Sequence, residues 1–156
     1  MLLLIICILL TALDQLTKLA VVMRLKPVGS VSVIEDFFSL TYVENRGAAF
    51  GMLEGGKWLF LAITLAVILL AVVYCIKTPK TRENLWIRAS IAMIVSGAAG
   101  NAIDRLFRGC VVDFLDFLII GYDFPVFNFA DILVVLGTAL FAGGIVFFDN
   151  NGKEKS

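Results

Sequence analysis

Four apolar stretches divide this sequence of 156 residues, and each is about as long as a helix that crosses a membrane. Such a helix needs about 20 mostly apolar residues. The stretches cover roughly Leu2–Met23, Trp58–Ile76, Leu85–Phe107 and Val126–Phe148. Hydrophobic residues make up 60% and charged residues 17% of the chain, whereas soluble domains have ~45–50% and ~25%. We therefore expect an all-α integral membrane protein, a bundle of four transmembrane helices in a single domain over residues 1–156.

The first apolar stretch could be confused with a cleaved secretory signal. It lacks a basic segment in front, is longer than the apolar part of a signal, and continues into Asp14-Gln15-Leu16-Thr17-Lys18 instead of a small-residue cleavage site. We interpret it as a retained helix.

The distribution of lysine and arginine predicts the orientation of the helices, because short cytoplasmic loops carry an excess of both. Six of them lie in the link from Lys77 to Arg88, around the junction of the second and third stretches, or in the C-terminal tail: Lys77, Lys80, Arg82, Arg88, Lys153 and Lys155. Five lie in the other two connections: Arg24, Lys26, Arg46, Lys57 and Arg108. We therefore expect cytoplasmic N- and C-termini, with connections 24–57 and 108–125 outside.

The first outer connection has the pattern of a small β-sheet. Residues Val28–Ile34 alternate between apolar and polar, and Phe37–Val43 are rich in aromatic and β-branched residues. Both patterns are typical of strands. We expect an outer β elaboration over about 28–56, in which Gly47–Leu53 forms a short interfacial turn or helix.

Two carboxylates lie in strongly apolar segments. Asp113 follows Val111-Val112, and Asp131 lies within Phe129-Ala130-Asp131-Ile132-Leu133. A charge in lipid costs at least ~2.5–3.5 kcal/mol, so such residues face a protein interior or a wet cavity and commonly have a function. The chain contains no histidine, and we interpret the two aspartates as an acid–base dyad. The main alternative is a small four-span transporter or channel that uses them as proton or cation ligands.

The chemistry open to two neighbouring carboxylates is limited. When they are close, both cannot ionise easily, and one of them keeps a proton. The ionised carboxylate can take a proton from water, while the protonated one polarises a carbonyl and later protonates a leaving amine. This is the chemistry of aspartic peptide hydrolysis.

Other polar residues gather at the predicted outer ends of the helices. They are Asp14, Lys18, Asn101, Asp104, Arg105 and Asn128, and Asn45 in the first outer connection is expected to reach the same region. Asp14 and Lys18, four positions apart, lie on one helix face and are interpreted as a structural or positioning pair. Asp104 beside Arg105 predicts an ion pair that holds a helix end or binds a substrate head group, and Arg105 alone also suits a phosphate.

Several polar or small residues also have purely structural interpretations. Asn128 precedes an apolar helix and suits its N-cap as well as a site. Asp116 and Asp123 are expected in a polar loop, as solvated or capping residues. The small residues of Ser96–Gly100, together with Gly137 and Gly143-Gly144, would let helices approach closely.

The composition also limits cofactors and partners. Lysine plus arginine and aspartate plus glutamate each total 13, and no basic stripe suggests nucleic acid. The three cysteines, Cys7, Cys75 and Cys110, are widely spaced and are interpreted as small buried residues. We expect no metal and no cofactor. Because Cys110 lies close to Asp113, activity could be sensitive to thiol reagents.

Five segments, in this order, resemble the lipoprotein signal peptidases (signal peptidase II). They are Asp14-Gln15-Leu16-Thr17-Lys18, Asn45-Arg46-Gly47-Ala48-Ala49-Phe50, Gly100-Asn101-Ala102-Ile103-Asp104-Arg105, Val111-Val112-Asp113-Phe114 and Phe127-Asn128-Phe129-Ala130-Asp131. The resemblance covers nearly the whole chain. It implies a bacterial inner-membrane aspartic endopeptidase that removes the signal peptide of diacylglyceryl-modified prolipoproteins just before the lipid-bearing cysteine.

The resemblance also assigns roles to the polar residues. It implies that Asp113 and Asp131 are the catalytic aspartates, and that the seven other polar residues named above line or support the site. It further implies an outer β-cradle, a short interfacial helix and a site near the extracytoplasmic face that opens sideways to membrane lipid. We expect a monomer.

Overall fold

The structure, a computed structural model, describes residues 2–47, 56–78, 81 and 84–153. In chain order, its elements are α1 (Leu2–Arg24), β1 (Ser30–Ile34), β2 (Phe38–Asn45), α2 (Lys57–Lys77), α3 (Leu85–Phe107), β3 (Val111–Ile119), β4 (Tyr122–Phe127) and α4 (Phe129–Lys153).

Three of the helices in the described part of the chain, α1, α2 and α3, are long and apolar enough to cross a membrane. The apolar section described for α4 is shorter and covers Phe129–Gly144. Three candidate spans agree with the multi-pass membrane character predicted from the sequence, whereas the fourth crossing stays a prediction.

Helix α3 is the centre of the bundle and packs against α1, α2 and α4. Its buried residues recur at helical spacing from Ile87 to Asp104, whereas α2 has none among its described residues. Apolar side chains that point away from α3, such as Leu70 of α2 at 70% exposed, cover the outside of the bundle. This arrangement suits surroundings of lipid, which do not penalise exposed apolar surface.

Glycines allow α3 and α4 to pack closely, as the small-residue pattern predicted. A Cβ atom built at Gly97 would lie 2.3 Å from the carbonyl oxygen of Ala130, and one at Gly137 would lie 2.8 Å from that of Ser90. Gly143 does not contribute, because nothing lies within 4 Å of its Cβ position. The close contact places the start of α4 directly against the C-terminal half of α3.

The strands form one antiparallel sheet in the order β1-β2-β3-β4. Strands β1 and β2 confirm the two strands predicted over Val28–Ile34 and Phe37–Val43. Strands β3 and β4 were not predicted, because acidic residues and Pro125 interrupt their apolar pattern. The hairpin turn between them has Ile120 at φ 51° and Gly121 at φ 76°. A β-branched residue is unusual at such a position, so this turn lacks the common Asn-Gly or Asp-Gly signal.

Three sequence expectations need correction or lie outside the described residues. Asp116 and Asp123 belong to β3 and β4 instead of a loop, and the Asp116 carboxylate accepts a hydrogen bond of 2.5 Å from the Thr41 hydroxyl. Helix α4 begins at Phe129 instead of residue 126, because Val126 and Phe127 end β4. The interfacial turn or helix expected over Gly47–Leu53 lies, except for Gly47, outside the described residues.

Candidate active site

Asp113 lies on β3 where the sheet meets the helices. It pairs with Val43 of β2 and is 2% exposed. Its Oδ2 accepts a hydrogen bond of 2.9 Å from the Asn45 amide, and its Oδ1 accepts one of 2.5 Å from the Asn128 amide. Burial raises the pKa of Asp113 to about 6 even though both hydrogen bonds favour the ionised form. The carboxyl group can therefore keep a proton under much milder conditions than an exposed aspartate.

Asp131 lies in the first turn of α4 and forms a reciprocal cap with Asn128. The Asn128 side-chain oxygen accepts a hydrogen bond of 3.1 Å from the Asp131 backbone N–H. In return, Asp131 Oδ2 accepts one of 3.0 Å from the Asn128 backbone N–H. This is the geometry of a capping box, with asparagine and aspartate in the usual positions of Ser/Thr and Glu/Gln. Asn128 is thus the N-cap of α4 and also contacts both aspartates. The structural and the site interpretation of this residue are therefore compatible.

Two asparagine amides connect the carboxylates. Asn128 Nδ2 lies 2.5 Å from Asp113 Oδ1 and 3.2 Å from Asn101 Oδ1. Asn101 Nδ2 in turn donates to Asp131 Oδ1 at 2.8 Å. The chain Asp113–Asn128–Asn101–Asp131 is therefore continuous, and Asn128 touches both aspartates through different atoms. The Coulomb interaction with Asp131 adds to the rise in the pKa of Asp113, although burial contributes more.

Asp14, Lys18 and Asp104 form a fully buried group that we call the buried ion triad. Lys18 Nζ lies 3.0 Å from Asp14 Oδ2 and 3.2 Å from Asp104 Oδ2, and all three side chains are 0% exposed. The third acceptor of the ammonium is Asn101 Oδ1 at 2.8 Å. Each of the three N–H groups of Lys18 therefore has an acceptor. Asp14 and Lys18 thus form an ion pair on one face of α1, and their role as a structural or positioning pair stays a prediction.

Arg105 is directed away from Asp104, contrary to the predicted ion pair between these neighbours. Successive residues on a helix point about 100° apart. Asp104 faces α1 and forms ion pairs with Lys18 and Arg108. The Arg105 guanidinium instead lies 4.5 Å from the centre of the Phe60 ring and donates to the Gly47 carbonyl at 3.3 Å. It is thereby held at the wall of a cavity.

That cavity, of about 450 Å³, opens beside the two aspartates. Polar residues on its wall are Asn45, Asn101, Arg105, Asp113 and Asp131. Apolar and aromatic side chains form much of the rest, among them Phe60 of α2, Val135 of α4, and Tyr122, Phe124 and Phe127 of β4. The cavity therefore presents two carboxylates and one guanidinium to a molecule that is otherwise apolar.

The structure brings all nine predicted site residues into one connected region, although in two layers. Five line the cavity, and Asp14, Lys18, Asp104 and Asn128 lie behind them. Among the residues that the structure describes, no group of three histidine, cysteine or acidic side chains is arranged to hold a metal ion.

Two polar residues of this region were missed. Gln15 Nε2 lies 3.1 Å from Asp14 Oδ2 and 3.1 Å from the Gly100 carbonyl oxygen, and Arg108 donates to Gln15 Oε1 at 3.2 Å. The signal for Gln15 was its place between Asp14 and Lys18 in an apolar helix. Arg108 had been counted only as a loop charge.

Comparison with known proteins identifies the family. The family described as signal peptidase (SPase) II matches residues 6–147. A protein named lipoprotein signal peptidase from Clostridioides difficile is 44% identical over 154 residues, which cover 98% of this chain and 100% of that protein. A protein of the same name from Halothermothrix orenii is 48% identical over 128 residues, covering 82% of this chain and 83% of its own.

Solved structures agree with the sequence comparison. A bacterial membrane enzyme determined by the in meso method at 2.3 Å resolution superposes with a TM-score of 0.82 at 35% identity, covering 99% of this chain and 91% of that one. A second, at 1.9 Å resolution, gives 0.80 at 36% identity, covering 92% and 91%. These likenesses decide against the transporter alternative. The chain belongs to the signal peptidase II family.

Proposed function

We propose that this peptidase removes signal peptides from diacylglyceryl-modified prolipoproteins, cutting before the lipid-bearing cysteine, with Asp113 and Asp131 as its catalytic dyad. One observation carries the proposal. The two carboxylates line the same cavity and both accept hydrogen bonds from Asn128. Among the ion pairs of the described residues, none includes Asp113 or Asp131, so neither carboxylate is neutralised by a fixed cation.

The dyad works by holding one proton between two carboxyl groups. Burial favours the neutral form of Asp113, as its raised pKa shows. The ionised partner takes a proton from a water molecule, which attacks the scissile carbonyl carbon. The protonated carboxyl polarises the carbonyl oxygen, and a proton then passes to the leaving amine. The bound asparagine amides fix both carboxylates in advance, which reduces the reorganisation needed during the reaction.

Arg105 serves substrate binding. Its guanidinium is held by the Gly47 carbonyl and the Phe60 ring at the cavity wall. The glyceryl ester and peptide carbonyl oxygens of the substrate are suitable acceptors for its remaining N–H groups. The apolar lining suits the lipid-modified end of a signal peptide. The acyl chains and the apolar helix of the substrate would stay in apolar surroundings when the scissile bond reaches the dyad.

The same proposal includes the arrangement in the bacterial inner membrane. All four helices cross it, with cytoplasmic termini and the dyad near the extracytoplasmic face. The sheet forms an outer cradle over the site, and Gly47–Leu53 are expected to form the interfacial turn or helix. Residues 1–156 act as one peptidase domain and as a monomer, and the cavity opens sideways to membrane lipid. Its support is the lysine and arginine distribution and the place of both aspartates at the junction of sheet and helices.

Cleavage of a lipidated prolipoprotein by the purified protein in lipid tests the proposal. Wild type is compared with Asp113→Asn and Asp131→Asn, and with Asp123→Asn as a matched control on the exposed part of β4. Thermal unfolding confirms that each variant is folded. We expect both dyad variants to lose cleavage by a factor of at least ~10³, and the control to keep it.

Two results would contradict the proposal. If a folded Asp113→Asn or Asp131→Asn protein cleaves at nearly the wild-type rate, that residue is not catalytic. If wild type cleaves an unmodified precursor as well as the diacylglyceryl-modified one, the substrate assignment is wrong, even though the dyad stands.

A further inference from the structure

We propose that the buried ion triad sets the separation of Asp113 and Asp131, because it holds the backbone directly before each of them. This inference rests on the proposed function of the dyad and adds a positioning role for three residues that do not line the cavity. It depends on two backbone hydrogen bonds that end on the two carboxylates of the triad.

The first bond fixes the start of α4. Asp14 Oδ1 accepts a hydrogen bond of 3.0 Å from the backbone N–H of Ala130, which is 0% exposed and directly precedes Asp131. The first N–H groups of a helix have no partner within the helix, and a carboxylate is favourable at this end. Here the partner comes from α1, so Asp14 determines where the first turn of α4 lies relative to α1.

The second bond fixes β3. Asp104 Oδ2 accepts a hydrogen bond of 3.1 Å from the backbone N–H of Val112, which is also 0% exposed and directly precedes Asp113. Asp104 belongs to the last turn of α3, so this bond ties the strand to the end of that helix. The same relation therefore occurs twice: a buried carboxylate holds the N–H of the residue before a catalytic aspartate.

Lys18 joins the two halves. Its ammonium lies 3.0 Å from Asp14 and 3.2 Å from Asp104. Its third N–H group donates to Asn101, whose amide donates to Asp131. Since the ammonium is 0% exposed and has three acceptors, any change of partner would leave a buried charge uncompensated. The short path from Ala130 through Asp14, Lys18 and Asp104 to Val112 is therefore stiff.

Gly100 leaves the space that this arrangement needs. A Cβ atom at position 100 would lie 2.3 Å from Asp14 Oδ2. The Asp14 carboxylate cannot move away freely, because Lys18 and Gln15 also hold that oxygen. A methyl group at position 100 therefore displaces one end of the triad without removing any of its charges.

Steady-state cleavage of a lipidated prolipoprotein by Asp14→Ala, Asp104→Ala and the double variant tests the inference. A misplacement of 1 Å can cost ~100-fold in rate. We expect each single variant to lower kcat by about this factor with KM within about twofold, because the cavity wall itself is unchanged. The double variant should lose little more than either single one, since each breaks the same spacing.

Ile87→Ala is the matched control for lost stability. Ile87 is a buried residue of α3, 8% exposed. It lies 17 positions before Asp104, which corresponds to ~25 Å along the helix. It should lower the unfolding temperature and leave the kcat of the folded protein unchanged. Gly100→Ala is the second positioning variant, and it keeps all charges. We expect it to lower kcat with little change in KM. If Asp14→Ala or Asp104→Ala does not fold, Gly100→Ala alone tests the positioning role.

Three results would overturn the inference. One is a folded positioning variant with wild-type kcat. The second is a loss that appears mainly in KM. The third is a double variant whose loss is the product of the single losses. A failure of the proposed function is distinguishable, because wild type would then not cleave the lipidated substrate at all.

Discussion

The buried carboxyl group of Asp113 makes the stability of the folded protein depend on pH, and Asp113→Asn should remove this dependence. The pKa of Asp113 is raised from 3.8 to about 6, chiefly by burial. The folded protein therefore binds this proton more tightly than the unfolded chain does. The resulting stabilisation is complete below the unfolded pKa, falls as the pH rises from about 4 to about 6, and is lost above that range.

The size of the effect follows from the same values. A pKa difference of about 2.2 corresponds to ~3 kcal/mol. The free energy of unfolding of Asp113→Asn minus that of wild type should therefore increase by this amount from low pH to pH 7. Asparagine cannot ionise, so it avoids the cost of a buried charge. Because it also offers one acceptor fewer to Asn45 and Asn128, the constant part of the difference favours wild type by ~1–3 kcal/mol.

Denaturant unfolding in a lipid mimetic at several pH values between 4 and 7.5 measures this difference. Asp123→Asn is the control for the removal of a carboxylate from the same hairpin, at an exposed position. A difference between Asp113→Asn and wild type that stays constant over this range would refute the reasoning. Burial would then not be the cause that keeps the Asp113 carboxyl protonated, and the general acid of the dyad would need another explanation.

Three further predictions concern single residues. Lys18→Met leaves two buried carboxylates without their shared cation and should lower the free energy of unfolding by ~3–5 kcal/mol; a loss below 1 kcal/mol in denaturant unfolding would contradict the buried geometry. Asn45→Ala removes a hydrogen bond that lowers the pKa of Asp113, so the alkaline limb of the kcat/KM profile should move to higher pH; a move to lower pH would contradict this. Cys110 is 5% exposed and burial raises the pKa of its thiol, so a small maleimide should label it only after unfolding, and mass spectrometry of the native protein would show otherwise. This last prediction replaces the expected sensitivity of activity to thiol reagents at that cysteine.

The sequence predicted those parts of the fold that follow from local patterns. Apolar stretches of helix length correspond to α1, α2 and α3, and the alternating pattern after α1 corresponds to β1 and β2. Strand β3 lacks such a pattern, because two of its nine residues, Asp113 and Asp116, are acidic and interrupt the apolar run. Its last apolar residues, Leu118 and Ile119, are exposed. Its pairing with β2 depends on contacts between residues about 70 positions apart, which no local pattern reports.

The polar residues that meet in the candidate site were predictable as a set, whereas their contact partners were not. Charged or amide side chains in apolar helices are expensive, so their presence alone marked Asp14, Lys18 and Asn101. Which atom each would contact depends on how the helices face one another. Asp104 and Arg105 show the difference, since adjacent positions on α3 point to α1 and to the cavity. The family resemblance named these positions but assigned them no contacts.

The cost of burying three charges indicates that the buried ion triad contributes to the geometry of the site more than to the stability of the fold. Replacing a buried ion group by apolar residues of similar size is often neutral or stabilising by 1–4 kcal/mol, so the triad is weak evidence for stability. The variant Asp14→Val, Lys18→Met and Asp104→Val should accordingly fold. The gain is offset by two backbone N–H groups, at Ala130 and Val112, that lose their acceptors at ~1–3 kcal/mol each. We therefore expect a free energy of unfolding within ~2 kcal/mol of wild type, in contrast to the large loss for Lys18→Met alone, and a kcat lowered by ~100-fold or more.

Denaturant unfolding and cleavage of a lipidated prolipoprotein measure both quantities. An apolar triple variant that folds and cleaves at the wild-type rate would show that the apolar packing of α1, α3 and α4 is enough to position the two aspartates. A variant that folds and does not cleave would mean that these buried charges are kept for the geometry of the site.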